Sequence, residues 1–176
     1  MSPDDEPIPD YIGKIAIPGI ALSVRQPWAW AIIHAGKDIE NRSWHSVDKG
    51  NLRRGRIAIH AAKGLTQAEY ASAVDFMRDI GVICPPAADL MRGGIIGAVD
   101  VVDIVKESGS KWFMGPRGLV LCNPRACAFV PATGQLGYFS WTPADPPSPA
   151  EPAKWMLETK TDADPAPGPL QIDMFG

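Results

Sequence analysis

The apolar positions of the chain fall into short runs with two different spacings. Ile20 to Val24 reads as a strand. Pro27 fits a helix start, Trp28, Ile32 and Ile33 lie at helical spacing, and Gly36 fits the stop. Ile39 to Trp44 reads as a strand with Glu40 and Arg42 on one face. Arg56 to Ala61 alternates cleanly and predicts another strand. Thr66 can cap a helix over Gln67–Ile80, with Glu69 in a capping-box position and Ala73, Phe76, Met77 and Ile80 as its apolar stripe. Ile95 to Val105 is nearly continuous apolar sequence and predicts a buried strand; Gly118–Cys122 and Gly137–Trp141 are two more. About six short strands and two helices result. A small β-barrel with flanking helices, an α+β fold, is the expected solution, since closure removes exposed sheet edges.

The ends differ from this middle. Residues 1–19 contain Pro3, Pro7, Pro9 and Pro18 and read as a flexible N-terminal arm before a domain at 20–142. Residues 143–176 hold eight of the 18 prolines and read as a Pro-rich disordered tail, with Lys154–Glu158 as a short helical island. At 176 residues, one domain with appendages is expected.

Charge follows the same division. The net charge of −3 averages two acidic ends and a basic middle. Residues 25–63 carry eight Lys or Arg against three acids, which suits a domain that meets a polyanion or, equally, a solvated basic face. Cys84, Cys122 and Cys127 have neither a disulfide pattern nor a zinc spacing, and reduced thiols in a cytoplasmic protein are expected. No apolar run approaches 18 residues, so no membrane span is expected, and the acidic N-terminus is unlike a signal peptide.

The densest chemistry lies in Ala35–Trp44, just after Leu22–Ala29. Arg25, Lys37, Arg42, Arg56 and Lys63 come from neighbouring segments that would converge on one barrel mouth, where they could neutralise phosphates or read a base edge. Gln26, Glu40, Ser43, Trp44 and His60 complete the candidate ligand-binding set. Trp44 is the stacking candidate, while Trp28 is read as core. Lys37, Glu40 and His60 are the candidates for acid–base chemistry; a ribonuclease would pair His60 with Lys37 or Lys63. A satisfied structural histidine and a Glu40 salt bridge are the plainer alternatives. Regular alternation would put Asp100 and Asp103 on opposite faces, and no metal or cofactor is expected.

The blocks Leu22-Ser23-Val24-Arg25-Gln26-Pro27-Trp28-Ala29 and Gly36-Lys37-x-x-Glu40-x-Arg42 resemble the ASCH domain family. So do Gly55–Lys63, Ile95–Val99, Trp112, Gly115-Pro116, Leu119–Leu121 and Gly137–Trp141. The resemblance covers about residues 20–142. It implies a PUA-like barrel and binding of RNA or single-stranded nucleic acid. In some small bacterial members it implies amide hydrolysis of acylated cytidines. That branch places a Thr three residues after its Lys as nucleophile. Here Lys37 matches, but Glu40 stands at the Thr position and no later Glu is evident, so the resemblance favours a binding module over a hydrolase.

The tail ends Gln171-Ile172-Asp173-Met174-Phe175-Gly176, which resembles the peptide that binds the bacterial sliding clamp. Gln171, Met174 and Phe175 would be the contacts, presented on a mobile tether by a replication-associated adaptor.

Overall fold

The computed structural model describes residues 7–8, 16–43 and 54–158. The strands are β1 (Pro7–Ile8), β2 (Ile17–Pro18), β3 (Ile20–Val24), β4 (Ile39–Arg42), β5 (Gly55–Ala61), β6 (Gly94–Val105), β7 (Arg117–Pro131) and β8 (Tyr138–Ser140). The helices are α1 (Trp28–His34), α2 (Gln67–Asp79) and α3 (Lys154–Glu158), with a 3-10 turn at Ala87–Asp89. Six strands in the order β4-β7-β6-β5-β3-β8 form one sheet curled into a half-barrel, as the α+β barrel reading requires. Its pairs are antiparallel except β3 with β5.

Alternation along β3 shows how the sheet is used. Leu22 and Val24 point into a core with Ile57, Ile59, Val99, Val101, Leu119 and Leu121, closed by Ile32 and Ile33 of α1. Ala21 points the other way, onto Ala58, Ile95, Ala132, Phe139 and Trp141. Both faces are therefore buried around β3 and β5, which is why these strands carry apolar residues at almost every position.

The helix ends form as their residues dictate. Ala31 accepts from the backbone N–H groups of both Ala35 and Lys37, and the chain leaves α1 through Gly36 at φ +69°. At α2 the Thr66 hydroxyl accepts from the Glu69 backbone at 3.2 Å, and the Glu69 carboxylate accepts from the Thr66 backbone at 2.8 Å. Thr66→Ala is expected to cost about 1 kcal/mol in urea unfolding. The Glu69 carboxyl is held down to about 2, first by Arg25 and then by the Thr66 backbone. A carboxyl lowered from 4.5 stabilises the fold above that pH, and the contribution disappears as pH falls toward 2. Glu69→Gln is expected to flatten that part of the acid-unfolding curve.

Two expectations are corrected. The segment expected as Gly118–Cys122 is the start of a strand running to Pro131, through Asn123 at φ +52° and past Pro124. Register shifts between β6 and β7 accommodate those interruptions. One shift, between Val101 and Asp103, inserts an extra residue into β6. It brings Asp103 round to the side of Asp100, so the two do not lie on opposite faces. They pair with Arg54 at 2.6 Å, just before β5, and with Arg56 at 2.9 Å within it.

Packed residues also lie outside 20–142. Ile17 is buried under Trp141, whose indole N–H donates to the Pro18 carbonyl at 2.7 Å. Met156 of α3 is buried against Leu65, Ala87 and Leu90, and Trp155 rests on Tyr70 at 5.9 Å between centroids. Arg92 holds this crossing in place by donating to the carbonyls of Lys63 and Glu151. The three cysteines are half-buried and not joined in disulfides. Among the described residues no helix is long and apolar enough to cross a membrane.

Candidate functional site

The charges of the Gly36–Arg42 segment are turned on one another. Lys37 is only 3% exposed. Its ammonium donates to the Glu40 carboxylate at 2.7 Å and to the Ile39 carbonyl, and lies 6.0 Å from the centre of the Trp28 ring. Glu40 also meets Arg42 at 3.4 Å. Arg42 in turn donates to the Ser23 carbonyl at 3.0 Å. Because β4 and β3 stand near opposite ends of the sheet order, Arg42 bridges the open side of the half-barrel. Its buried Nε has no hydrogen-bond partner among the described residues. The triad thus joins the fold's open seam and leaves one donor over.

Two cavities lie close by. The first, about 510 Å³, opens between α1 and α2 and is lined by Arg25, Gln26, Trp28, Glu69, Phe76 and Met114 among others. Trp28 meets Phe76 edge-on at 5.6 Å between centroids and 69° between planes, so the slot has an aromatic wall. Arg25 is exposed at its rim and donates to Glu69 at 2.6 Å. Gln26 serves the fold: its Oε1 accepts from the Trp30 backbone at 2.9 Å and its Nε2 donates to the Met91 carbonyl at 2.8 Å. That completes the first turn of α1 from outside it.

The second cavity, about 590 Å³, is lined by Ser23, His60, Lys63 and the loop Ala132–Leu136. His60 is 2% exposed. Its Nδ1 lies 2.9 Å from the Ser23 hydroxyl and its Nε2 lies 2.8 Å from the Ala132 carbonyl. A carbonyl can only accept, so Nε2 carries the proton and Nδ1 accepts from the serine. Burial lowers the pKa of this imidazole, against an opposing pull from Ala132.

The predicted set is therefore divided. Arg25 and Lys63 are exposed and lie on either side of Gly64, where a Cβ would approach the Arg25 guanidinium to 3.2 Å. Lys37, Glu40 and His60 are buried. Arg56 is engaged by Asp100 and by the Asn123 carbonyl at 3.2 Å. Ser43 is exposed. Trp44 and the tail residues Gln171, Met174 and Phe175 lie outside the described residues. Ser23, Glu69, Phe76 and Met114 were not among the expected site residues. Glu69 and Phe76 were legible as a cap and a stripe position. Ser23 shows as the polar residue between Leu22 and Val24.

Comparison with known proteins bears on the same stretch. Activating signal cointegrator 1 of Homo sapiens is 33% identical to this chain over 95 residues, 53% of this chain. The match spans 16% of the length of that protein. The model of the ASCH domain matches residues 22–127, from Leu22 in β3 to Cys127 in β7. That interval takes in α1, the Lys37–Glu40–Arg42 triad and both cavity-forming helices, and covers more than half of the sequence: the chain belongs to the ASCH domain family.

Proposed function

We propose that this chain is a nucleic-acid-binding module that seats one unpaired base of RNA or single-stranded DNA between α1 and α2. The aromatic slot beside Arg25 carries the reading. Its volume, about 510 Å³, is in the range of small-ligand sites. Trp28 and Phe76 supply apolar walls, of the kind that hold bases removed from a duplex. Arg25 at the rim can meet a phosphate, or the acceptor edge of a base. Glu69 beside it accepts hydrogen bonds and suits an exocyclic amino group. A base with both an amino group and ring acceptors would engage the pair together. The basic bias of residues 25–63 supports the same partner class through phosphate attraction.

This reading moves the contact surface away from Lys37, Glu40 and Arg42 and onto the α1–α2 face. The triad then shapes the slot from beneath, since the Lys37 ammonium sits against the Trp28 ring.

The test is fluorescence anisotropy with short labelled RNA and single-stranded DNA. Affinity is expected to fall as salt rises, and Arg25→Ala to weaken binding about tenfold, near 1.4 kcal/mol. Binding that Arg25→Ala leaves unchanged would sink the slot. Equal binding of duplex and single strand would sink the base-seating step.

A further inference from the structure

The second cavity holds a serine–histidine pair that the nucleic-acid reading does not use. Ser23 and His60 are register partners across the parallel pair of β3 and β5, so the two backbones fix their separation. The hydroxyl and Nδ1 are 2.9 Å apart, within the reach required of a nucleophile and its base. The Ala132 carbonyl holds Nε2–H at 2.8 Å and sets the tautomer that leaves Nδ1 free to accept. It occupies the orienting position that a carboxylate takes in a catalytic triad. Gly134 comes down onto the pair. A Cβ there would lie 2.6 Å from His60 Cε1 and 3.1 Å from the Ser23 hydroxyl. Only a glycine lets the loop approach this closely, and the half-buried Ser23 still borders the cavity. Among the described residues, Lys63 gives the wall one cation and no acidic residue lines it.

We propose that Ser23 and His60 are a nucleophile and general base that hydrolyse a carboxylic ester bearing an anionic group, with Lys63 binding that group. Ser23 Oγ forms a bond to the ester carbonyl carbon and gives its proton to His60 Nδ1. Collapse of the tetrahedral adduct breaks the bond to the alcohol oxygen, which leaves with the proton from Nδ1. Water then attacks the acyl-serine and passes one proton to Nδ1. The acid departs, and Ser23 recovers its proton from Nδ1. Ester and water become acid and alcohol, and the enzyme returns unchanged. The Ala132 carbonyl dipole supports the transient imidazolium throughout. Burial keeps the resting imidazole neutral, the form this base needs.

The experiment treats the full chain with a fluorophosphonate, which reports a nucleophilic serine by forming an Oγ–P bond with loss of fluoride. Peptide mass mapping is expected to find the adduct on Ser23, and Ser23→Ala to lack it. His60→Gln is expected to slow labelling about a hundredfold or more. If His60→Gln does not fold, the pH profile of the wild type serves instead. Labelling should fall as His60 becomes protonated below pH 6.5 and be flat above it. Among the described residues, the other charged groups at the pair are Lys63 and, through the Ser23 carbonyl, Arg42. A carboxylated aryl ester should be turned over faster than a neutral one, with the preference lost in Lys63→Ala. No Ser23 adduct on natively folded protein overturns the proposal. So does labelling that neither His60→Gln nor pH changes. No nucleic acid enters this assay, so its failure leaves the base-seating reading intact, and failure of oligonucleotide binding leaves this one intact.

Discussion

Lys37→Met is expected to lower the stability of the fold by about 3 kcal/mol, read as a fall in the urea midpoint at unchanged slope. The substitution keeps the length and apolar body of the side chain. It removes the ammonium that Glu40 meets at 2.7 Å, and it strips the Ile39 carbonyl of its donor. Glu40 is 9% exposed and cannot recover full hydration. Breaking one half of a buried pair costs about 3–5 kcal/mol, because the other charge is left where water does not reach it. Arg42 at 3.4 Å remains as partial compensation, which places the expected value at the lower end. The double change Lys37→Met with Glu40→Leu separates loss of the pair from an orphaned charge. It should regain at least half of the deficit, since an apolar pair of similar volume replaces a buried ion pair at little cost. A single variant within about 0.5 kcal/mol of wild type would show that Glu40 is hydrated, and the buried-pair description would fall.

The same residues show what the sequence made legible and what it hid. Local signals were readable. Thr66 with Glu69 announced a capping box, Pro27 and Gly36 bracketed α1, and alternation placed β3 and β5 almost to the residue. These depend on interactions within a few positions of the chain, so pattern suffices. The six sheet strands were readable too, five from their own apolar runs and β4 from the alternation that sets Glu40 and Arg42 on one face after Ile39. What failed was anything set by register. β7 was seen only to Cys122 because Asn123 and Pro124 look like a stop, whereas shifted pairing with β6 carries the strand past them. Asp100 and Asp103 changed sides for the same reason.

Composition misled in another way. A cluster of Lys, Glu and Arg in six residues suggests an open binding surface. Its actual direction depends on a sheet that stops short of closure, so that Arg42 is drawn across the seam to Ser23. Nothing near Arg42 in the sequence states that distance. The Ser23–His60 contact was hidden likewise: it joins residues 37 apart through a parallel pairing that neither strand announces alone. Arg25 and Lys63 were identifiable as exposed cations, but their sorting into two separate cavities comes from the position of α2, which is a tertiary fact.

Gly97→Ala carries the second large effect, because it tests how α1 seats on the sheet. Gly97 lies in β6, in a run of apolar residues where an extra methyl would ordinarily be welcome. Here a Cβ would enter the Arg125 carbonyl oxygen on β7 and lie 2.8 Å from the Ile33 Cδ1 of α1. One obstacle is the tip of a side chain and can rotate; the other is backbone held in the β6–β7 pairing. The site is also a place of shifted register, since Ile95 and Gly97 pair with Val130 and Ala126 with residues passed over between them. That local bend brings the neighbouring backbone in close, and a glycine in a strand commonly marks such an approach. Overpacking of this kind costs about 1–3 kcal/mol where side chains can yield, and more where backbone must move. Gly97→Ala is therefore expected to destabilise by about 3 kcal/mol. Adding Ile33→Val removes the methyl that could yield and leaves the carbonyl in place, so it should restore less than about 1 kcal/mol. Full rescue by Ile33→Val would mean that the helix, not the β6–β7 bulge, sets the demand for glycine. No rescue, with the sheet loosened around Arg125 in hydrogen exchange, would confirm that the bulge fixes how closely α1 can plug the half-barrel.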